Sequence, residues 1–180
     1  NGRVIMNQDL FALLTVNKNQ YDFLYTYKGQ VVAAYLRGKC LEYMQQALEE
    51  VPQNKHLIKD LRPKCVTKEL DDVVIISSIE DTVSKTGDII TEDFFYKNQL
   101  GIIKGNIHSF SSLYEENHIY IGDRSIIEDF VVIDAQKGPV YIDEDVTIES
   151  GSRIEGPAYI GKHSTVLGAR IKGSSIGHWC

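Results

Sequence analysis

Residues 121–166 read IGDRSIIEDFVVIDAQKGPVYIDEDVTIESGSRIEGPAYIGKHSTV. Aliphatic residues stand at Ile121, Ile127 and Ile133, six positions apart, and resume after one interruption at Ile142, Ile148, Ile154, Ile160 and Val166. The position after each aliphatic suits a tight turn or its rim: Gly122, Glu128, Asp134, Asp143, Glu149, Glu155 and Gly161. Four places after it come small or β-branched residues, at Ser125, Val131, Val146, Ser152, Ala158 and Ser164.

Three columns in one register point to a solenoid. A six-residue unit makes one short strand and one turn, and three units close a triangular coil. The aliphatic points into the prism, and the small residue fits the tight corner. No single coil buries its own apolar face, so coils must stack. The alternative, an antiparallel sandwich, alternates with period two. Ile119 and Ile121 do so locally, but a sandwich does not produce eight aliphatics in two six-residue registers. The reading is therefore an all-β, single-stranded left-handed parallel β-helix of about three coils from Ile119. Its hand comes from the hexapeptide repeat, which is an exception to the right-handed crossover rule. Three extra residues within Ala135–Pro139 are expected to leave a corner as a small loop. After Val166 the pattern slips: Leu167 and Arg170 occupy the turn and small-residue columns, and Ile171 and Ile176 follow at spacings of five.

Upstream the pattern is mixed α+β. Asn7 is placed to cap a short helix whose Leu10, Phe11, Leu13 and Leu14 share a face. Two strand-like runs follow, 21–27 and 30–36, joined by a hairpin at Lys28-Gly29. Residues 39–50 form a helix with Leu41, Met44 and Leu48 on one face, stopped by Pro52. Arg62-Pro63 marks a turn or linker, and Val73 to Ile76 a short buried run. Helical pieces at 78–84 and 88–97 are read as broken at Gly87. The domain division expected is an α/β segment with linker over 1–105 and the β-helix over 106–180.

The 180 residues suffice for one ordinary domain or two small ones. Hydrophobic residues at 43% with 24% charged residues supply a packed core. A net charge of −6 argues against non-specific nucleic-acid binding. No apolar run approaches the ~20 residues that span a bilayer, and no signal peptide opens the chain. Cys40, Cys65 and Cys180 are odd in number and not at metal spacing, which reads as reduced cytoplasmic thiols. Asn1 in place of Met, and a last residue inside a repeat, suggest a fragment of a longer protein.

The run from Val131 through Gln136-Lys137-Gly138-Pro139 to Ile142, with Gly151-Ser152-Arg153-Ile154-Glu155-Gly156-Pro157-Ala158-Tyr159-Ile160-Gly161, resembles a bacterial sugar-1-phosphate nucleotidyltransferase family. That family is similar to the bifunctional UDP-N-acetylglucosamine pyrophosphorylase/glucosamine-1-phosphate acetyltransferase, and its members are also described as glucose-1-phosphate thymidylyltransferases. Asn1-Gly2-Arg3-Val4-Ile5 with Asp9-Leu10-Phe11 resembles the strand end and helix of the nucleotidyltransferase domain. The resemblance implies two reactions in the intact protein. One joins a nucleoside triphosphate to a sugar 1-phosphate with Mg2+ and releases pyrophosphate. The other is acyl transfer from acetyl-CoA to an amino sugar between subunits of a homotrimer. The Gly-rich phosphate loop and the distal β-helix segment that would hold the acyl-transfer base are absent from these residues. The fragment itself is thus expected to be inactive and to hold no cofactor.

If the resemblance holds, Asn1, Gly2 and Arg3 lie at the nucleotide and metal edge. The acidic Mg2+ ligand of better-known relatives is missing there, and the ordinary alternative is a surface strand end. His163 and His178 are the candidate general bases among His56, His108, His118, His163 and His178, against the alternative of solvated turn residues. Arg153, Lys162, Arg170 and Lys172 are candidates for the phosphates of a sugar phosphate or of CoA, against the alternative of solvated charges. Trp179 suits a core or an interface. Two other functions stay open. One is a non-catalytic β-helix trimerisation module. The other is a zinc-dependent hydratase with His163 and His178 on adjacent coils, for which no third ligand is evident.

Overall fold

The computed structural model describes residues 4–16, 21–49, 64–99 and 101–180. Asn1 to Arg3 and the whole of Pro52 to Pro63, His56 included, lie outside them, so the site reading at the N-terminus and the turn at Arg62-Pro63 do too. The chain forms two compact units, Asn1–Ile79 and Glu80–Cys180.

In the first unit, α1 (Gln8–Val16) starts where expected: the Leu10 amide donates to Asn7 Oδ1 at 2.9 Å. Leu10 is buried and Leu13 and Leu14 pack beside it, but Phe11 is 55% exposed and leaves the predicted face. Strands β1 (Phe23–Tyr27) and β2 (Gln30–Tyr35) pair antiparallel through Lys28-Gly29, both at positive φ (47° and 75°). Two consecutive left-handed residues turn the chain with the twist its strands need. Helix α2 (Gly38–Glu49) follows, with Leu41 42% exposed, so the predicted apolar stripe is not a buried face there. β3 (Val66–Glu69) then pairs parallel with β1, giving the order β2-β1-β3. Leu10, Tyr25, Val32, Leu70 and Val73 form the core.

The second unit opens with α3 (Ile79–Lys97), a single helix where two pieces were read. Glycine disfavours a helix interior by about 1 kcal/mol, but packing overrides this at Gly87. A β-carbon there would come within 3.1 Å of Pro157, so glycine lets the helix lie close to a corner of the solenoid. This packing places the start of the unit at Glu80, ahead of the 106 read from the repeats.

Three parallel sheets of four strands build the solenoid. The first holds β6 (Ile119–Ile121), β9 (Val140–Ile142), β12 (Ala158–Ile160) and β15 (Ser175–Ile176). The second holds β4 (Asn106–Ile107), β7 (Ile126–Ile127), β10 (Thr147–Ile148) and β13 (Thr165–Val166). The third holds β5 (Ser112–Tyr114), β8 (Val132–Asp134), β11 (Arg153–Glu155) and β14 (Arg170–Lys172). Every pair is parallel and in register, which is the architecture of a hexapeptide β-helix and consistent with left-handed winding.

All eight aliphatics of the repeat are buried, as are all six residues of the small column. From Ile119 the β-helix makes about three coils, as expected, and about four in all. Ile107 pairs with Ile127 and Leu113 with Ile133, and Ile103 bridges to Ile121, so a further coil precedes Ile119. Its spacing is too uneven to read as a hexapeptide. The interruption at 135–139 is a smaller excursion than expected: Ala135 is in the core, only Gln136 and Lys137 are exposed, and β9 returns in register with β6 and β12. After Val166 the corner is one residue shorter. Ala169, not Arg170, packs against the core in the small column, and Ile154 pairs with Ile171.

Candidate functional site

The sheet of β6, β9, β12 and β15 carries an outward ladder directly before its core isoleucines: Tyr120, Tyr141 and Tyr159. Tyr120 and Tyr141 stack at 4.3 Å, and Phe94 of α3 meets the Tyr141 ring edge-on at 5.0 Å. Lys97 lies over the Tyr141 ring and Tyr141 Oη donates to Gln99 at 3.1 Å. Burial, chiefly, raises the Tyr141 phenol above its ordinary value. This tyrosine is therefore a structural donor that seats the end of α3.

Tyr159 is different. Its hydroxyl donates to Asp143 Oδ2 at 3.2 Å and stands 3.1 Å from His178 Nε2. Asp143 is buried, and its other oxygen accepts from the Glu144 amide. Burial, then the neighbouring Asp143 charge and hydrogen bond, push the Tyr159 phenol up to about 12, so it remains a proton donor near neutral pH. A phenol has one proton. With that hydrogen directed at Asp143 Oδ2, the Tyr159 oxygen is left to accept from His178 Nε2 in the tautomer that carries hydrogen there. Its Nδ1 is then the lone-pair nitrogen, on an exposed ring. Asp143–Tyr159–His178 is a hydrogen-bonded series that fixes the orientation of the His178 imidazole. His178 was legible as a candidate. Asp143 and Tyr159 were missed, although tyrosine before Ile121, Ile142 and Ile160 was a visible signal.

His163 has another role. The third residue after the aliphatic turns each corner at positive φ: Arg124, Asp145, His163 and Trp179 form one such column. Arg124 donates twice to Asp145, at 2.6 Å each; His163 Nδ1 lies 3.6 Å from Asp145 Oδ2; and the His163 ring stacks on Trp179 at 4.1 Å. Lys162 pairs with Glu144 at 3.3 Å and sits one coil below His178, since the Trp179 amide donates to Lys162 O. His163 and His178 are on adjacent coils as read, but they address different neighbours. Among the described residues no three His, Cys, Asp or Glu side chains gather to hold a metal ion.

The remaining basic candidates share the face of β8, β11 and β14. Arg153 is committed to Asp134 (2.9 Å) and Glu155 (2.7 Å), and Arg170 shares Glu155 at 2.7 Å. Hydrogen bonds from Arg153 and Arg170 hold the Glu155 carboxyl at about 2, well below the usual range. Arg153 is thus a structural cation. Arg170 and Lys172 are exposed at the next coil and keep outward capacity for an anion. These residues lie on a different face from His178 within one chain.

The first unit holds a cleft of about 300 Å³ that the sequence did not reveal. Asp9, Lys68, Asp71 and Asp72 rim it over Leu10 and Leu13. Among the described residues no helix is long and apolar enough to cross a membrane. No protein-family model matches the sequence, and no curated protein matches it.

Proposed function

We propose that the chain belongs to a cytoplasmic sugar-1-phosphate nucleotidyltransferase whose β-helix is an acyltransferase arm in a homotrimer. The product is a nucleotide sugar of the UDP-N-acetylglucosamine or dTDP-glucose type. The observation that carries this reading is the series Asp143–Tyr159–His178 on a hexapeptide β-helix, which offers a base within these residues in place of the distal one the resemblance implies. Acyl transfer to an amine needs a base at the attacking nitrogen. His178 Nδ1 takes the proton as the amine attacks the thioester carbonyl, the C–S bond breaks to release the CoA thiolate, and the proton passes to that thiolate; Tyr159 and buried Asp143 fix the ring. Acetyl-CoA supplies the acyl group, and Lys162, Arg170 and Lys172 are the cations for its phosphates or the sugar's, some reaching the site from a neighbouring subunit. The nucleotidyl step rests on the sequence resemblance alone, and no step of it is assigned to a described residue.

Turnover is read in the intact protein, as acetylated glucosamine 1-phosphate by mass spectrometry and as pyrophosphate released from UTP or dTTP. His178→Gln is expected to lower kcat for acetylation by at least about 100-fold, the usual worth of a positioned base, and to leave pyrophosphate release alone. Tyr159→Phe is expected to shift the kcat–pH profile. An intact trimer inactive in both reactions would instead support a trimerisation module, and acetylation unchanged in His178→Gln would remove the assigned base.

A further inference from the structure

Cys40 lies in the first turn of α2, and Cys65 immediately precedes β3. Both positions are fixed from one residue. The Arg37 amide donates to Asp22 Oδ1 at 2.8 Å, which anchors the approach to α2. The Val66 amide donates to Asp22 O at 2.8 Å, and Phe23 pairs with Val66 across the parallel strands. Two chain segments far apart in sequence are thereby brought to the same end of β1. Cys40 and Cys65 are half-buried neighbours there, near enough for Cys40 to act on the Cys65 thiol. The third cysteine, Cys180, is exposed in the other unit.

We propose that Cys40 and Cys65 form a reversible dithiol/disulfide site, oxidised by low-molecular-weight disulfides, that ties the start of α2 to the start of β3. This inference is independent of the acyltransferase reading. A thiolate attacks one sulfur of the oxidant and expels the other as a thiolate, leaving a mixed disulfide on the protein. The second cysteine's thiolate attacks the protein sulfur of that mixed disulfide and expels the remaining half of the oxidant. Two protein thiols lose two electrons, and their two protons go to the two thiols released.

The surroundings set the order of attack. Burial first, then Cys40 and the Asp22 carboxylate, push the Cys65 thiol up to about 11. The thiolate is the nucleophile, so a thiol held protonated is slow to start the exchange. Cys40 enters first and Cys65 resolves. Half-burial favours this intramolecular step over prolonged occupation by a bulky mixed disulfide. The neighbouring sulfur supplies a high effective concentration with no change of fold.

The test is oxidation of the reduced 180-residue chain with oxidised glutathione, followed by thiol titration and a non-reducing tryptic map. Cys40 and Cys65 are expected to be lost together to thiol titration on the denatured protein, and exposed Cys180 to stay free or carry a glutathione. A peptide pair should appear joined through Cys40 and Cys65 that dithiothreitol separates. Cys180→Ser should go from two thiols to none and still yield the joined pair. Cys65→Ser should accumulate the glutathione adduct on Cys40. Cys180→Ser keeps both partners in place, so it decides the matter even where the Cys40 or Cys65 variants fold poorly. Glutathione adducts on Cys40 and Cys65 with no bond between them, untouched thiols at both, or linkage only between chains through Cys180 would each overturn the site.

Discussion

Truncating Ile148 to Ala tests the stacked core most directly. Ile148 is fully buried in β10, with Ile127 on the coil before it and Val166 on the coil after. The change removes three carbons, at about 0.8 kcal/mol for each buried methylene, so the transfer loss is about 2.4 kcal/mol. Backbone pairing on both sides holds Thr147 and Ile148 in place, so the neighbours cannot close the gap. A residual void of about 50 Å³ at about 24 cal/mol per Å³ adds roughly 1.2 kcal/mol. The expected total is about 3.5 kcal/mol. Ile126→Ala, on the outer face one residue away from the core at Ile127 and 41% exposed, should cost less than about 1 kcal/mol. The assay is urea unfolding followed by fluorescence of the single tryptophan, Trp179, which lies in the β-helix unit, with far-UV dichroism in parallel. Equal costs for Ile126→Ala and Ile148→Ala would refute the inward–outward assignment, and with it the triangular coil.

Gly122→Ala should cost about 2–3 kcal/mol by overpacking, because the added carbon would lie 2.7 Å from the Asp143 and Glu144 backbone; a thermal melt reads it. Glu155 has its folded pKa lowered to about 2 against 4.5, so its contribution to stability is full above about 4.5 and is lost as pH falls toward 2. Melting temperatures across that window should therefore drop more steeply for the native protein than for Glu155→Gln. A flat difference between the two would show that the Arg153 and Arg170 bonds contribute nothing. Sedimentation is expected to show a trimer. A monomeric intact protein would exclude a site shared between subunits.

The solenoid was legible because its constraint is local and recurrent. The corner at Ser125 must be small and the inside at Ile127 must be aliphatic, and both requirements return each coil. Where a coil departs from that period the signal fades, although the packing does not. Ile103, Ile107 and Leu113 occupy the same interior as the later isoleucines, but a 3-10 turn at Glu116–His118 and uneven spacing hide them. Gly87 misled for a related reason. Local propensity argues for a break, and only a partner distant in sequence, Pro157, explains an unbroken helix. The candidate base was half legible. His178 is the kind of residue one lists, but Asp143 and Tyr159 acquire meaning only when parallel stacking puts successive coils side by side. The cleft at Asp9 and Asp71 depends on a pairing of distant segments that no periodicity announces.

A triangular prism has three faces to offer a neighbour, and α3 already occupies much of one, with Phe94 seated against Tyr120 and Tyr141. A threefold assembly must therefore meet through the other two. One is lined with the Asp134–Arg153–Glu155–Arg170 ion series; the other shows Ile126, Thr147 and Thr165. The edge between those two faces carries the stacked, 69% exposed rings of Phe110 and Phe130. In the proposed trimer the helix would leave the Phe110–Phe130 edge open to approach, where exclusion of water from two stacked rings has most to contribute.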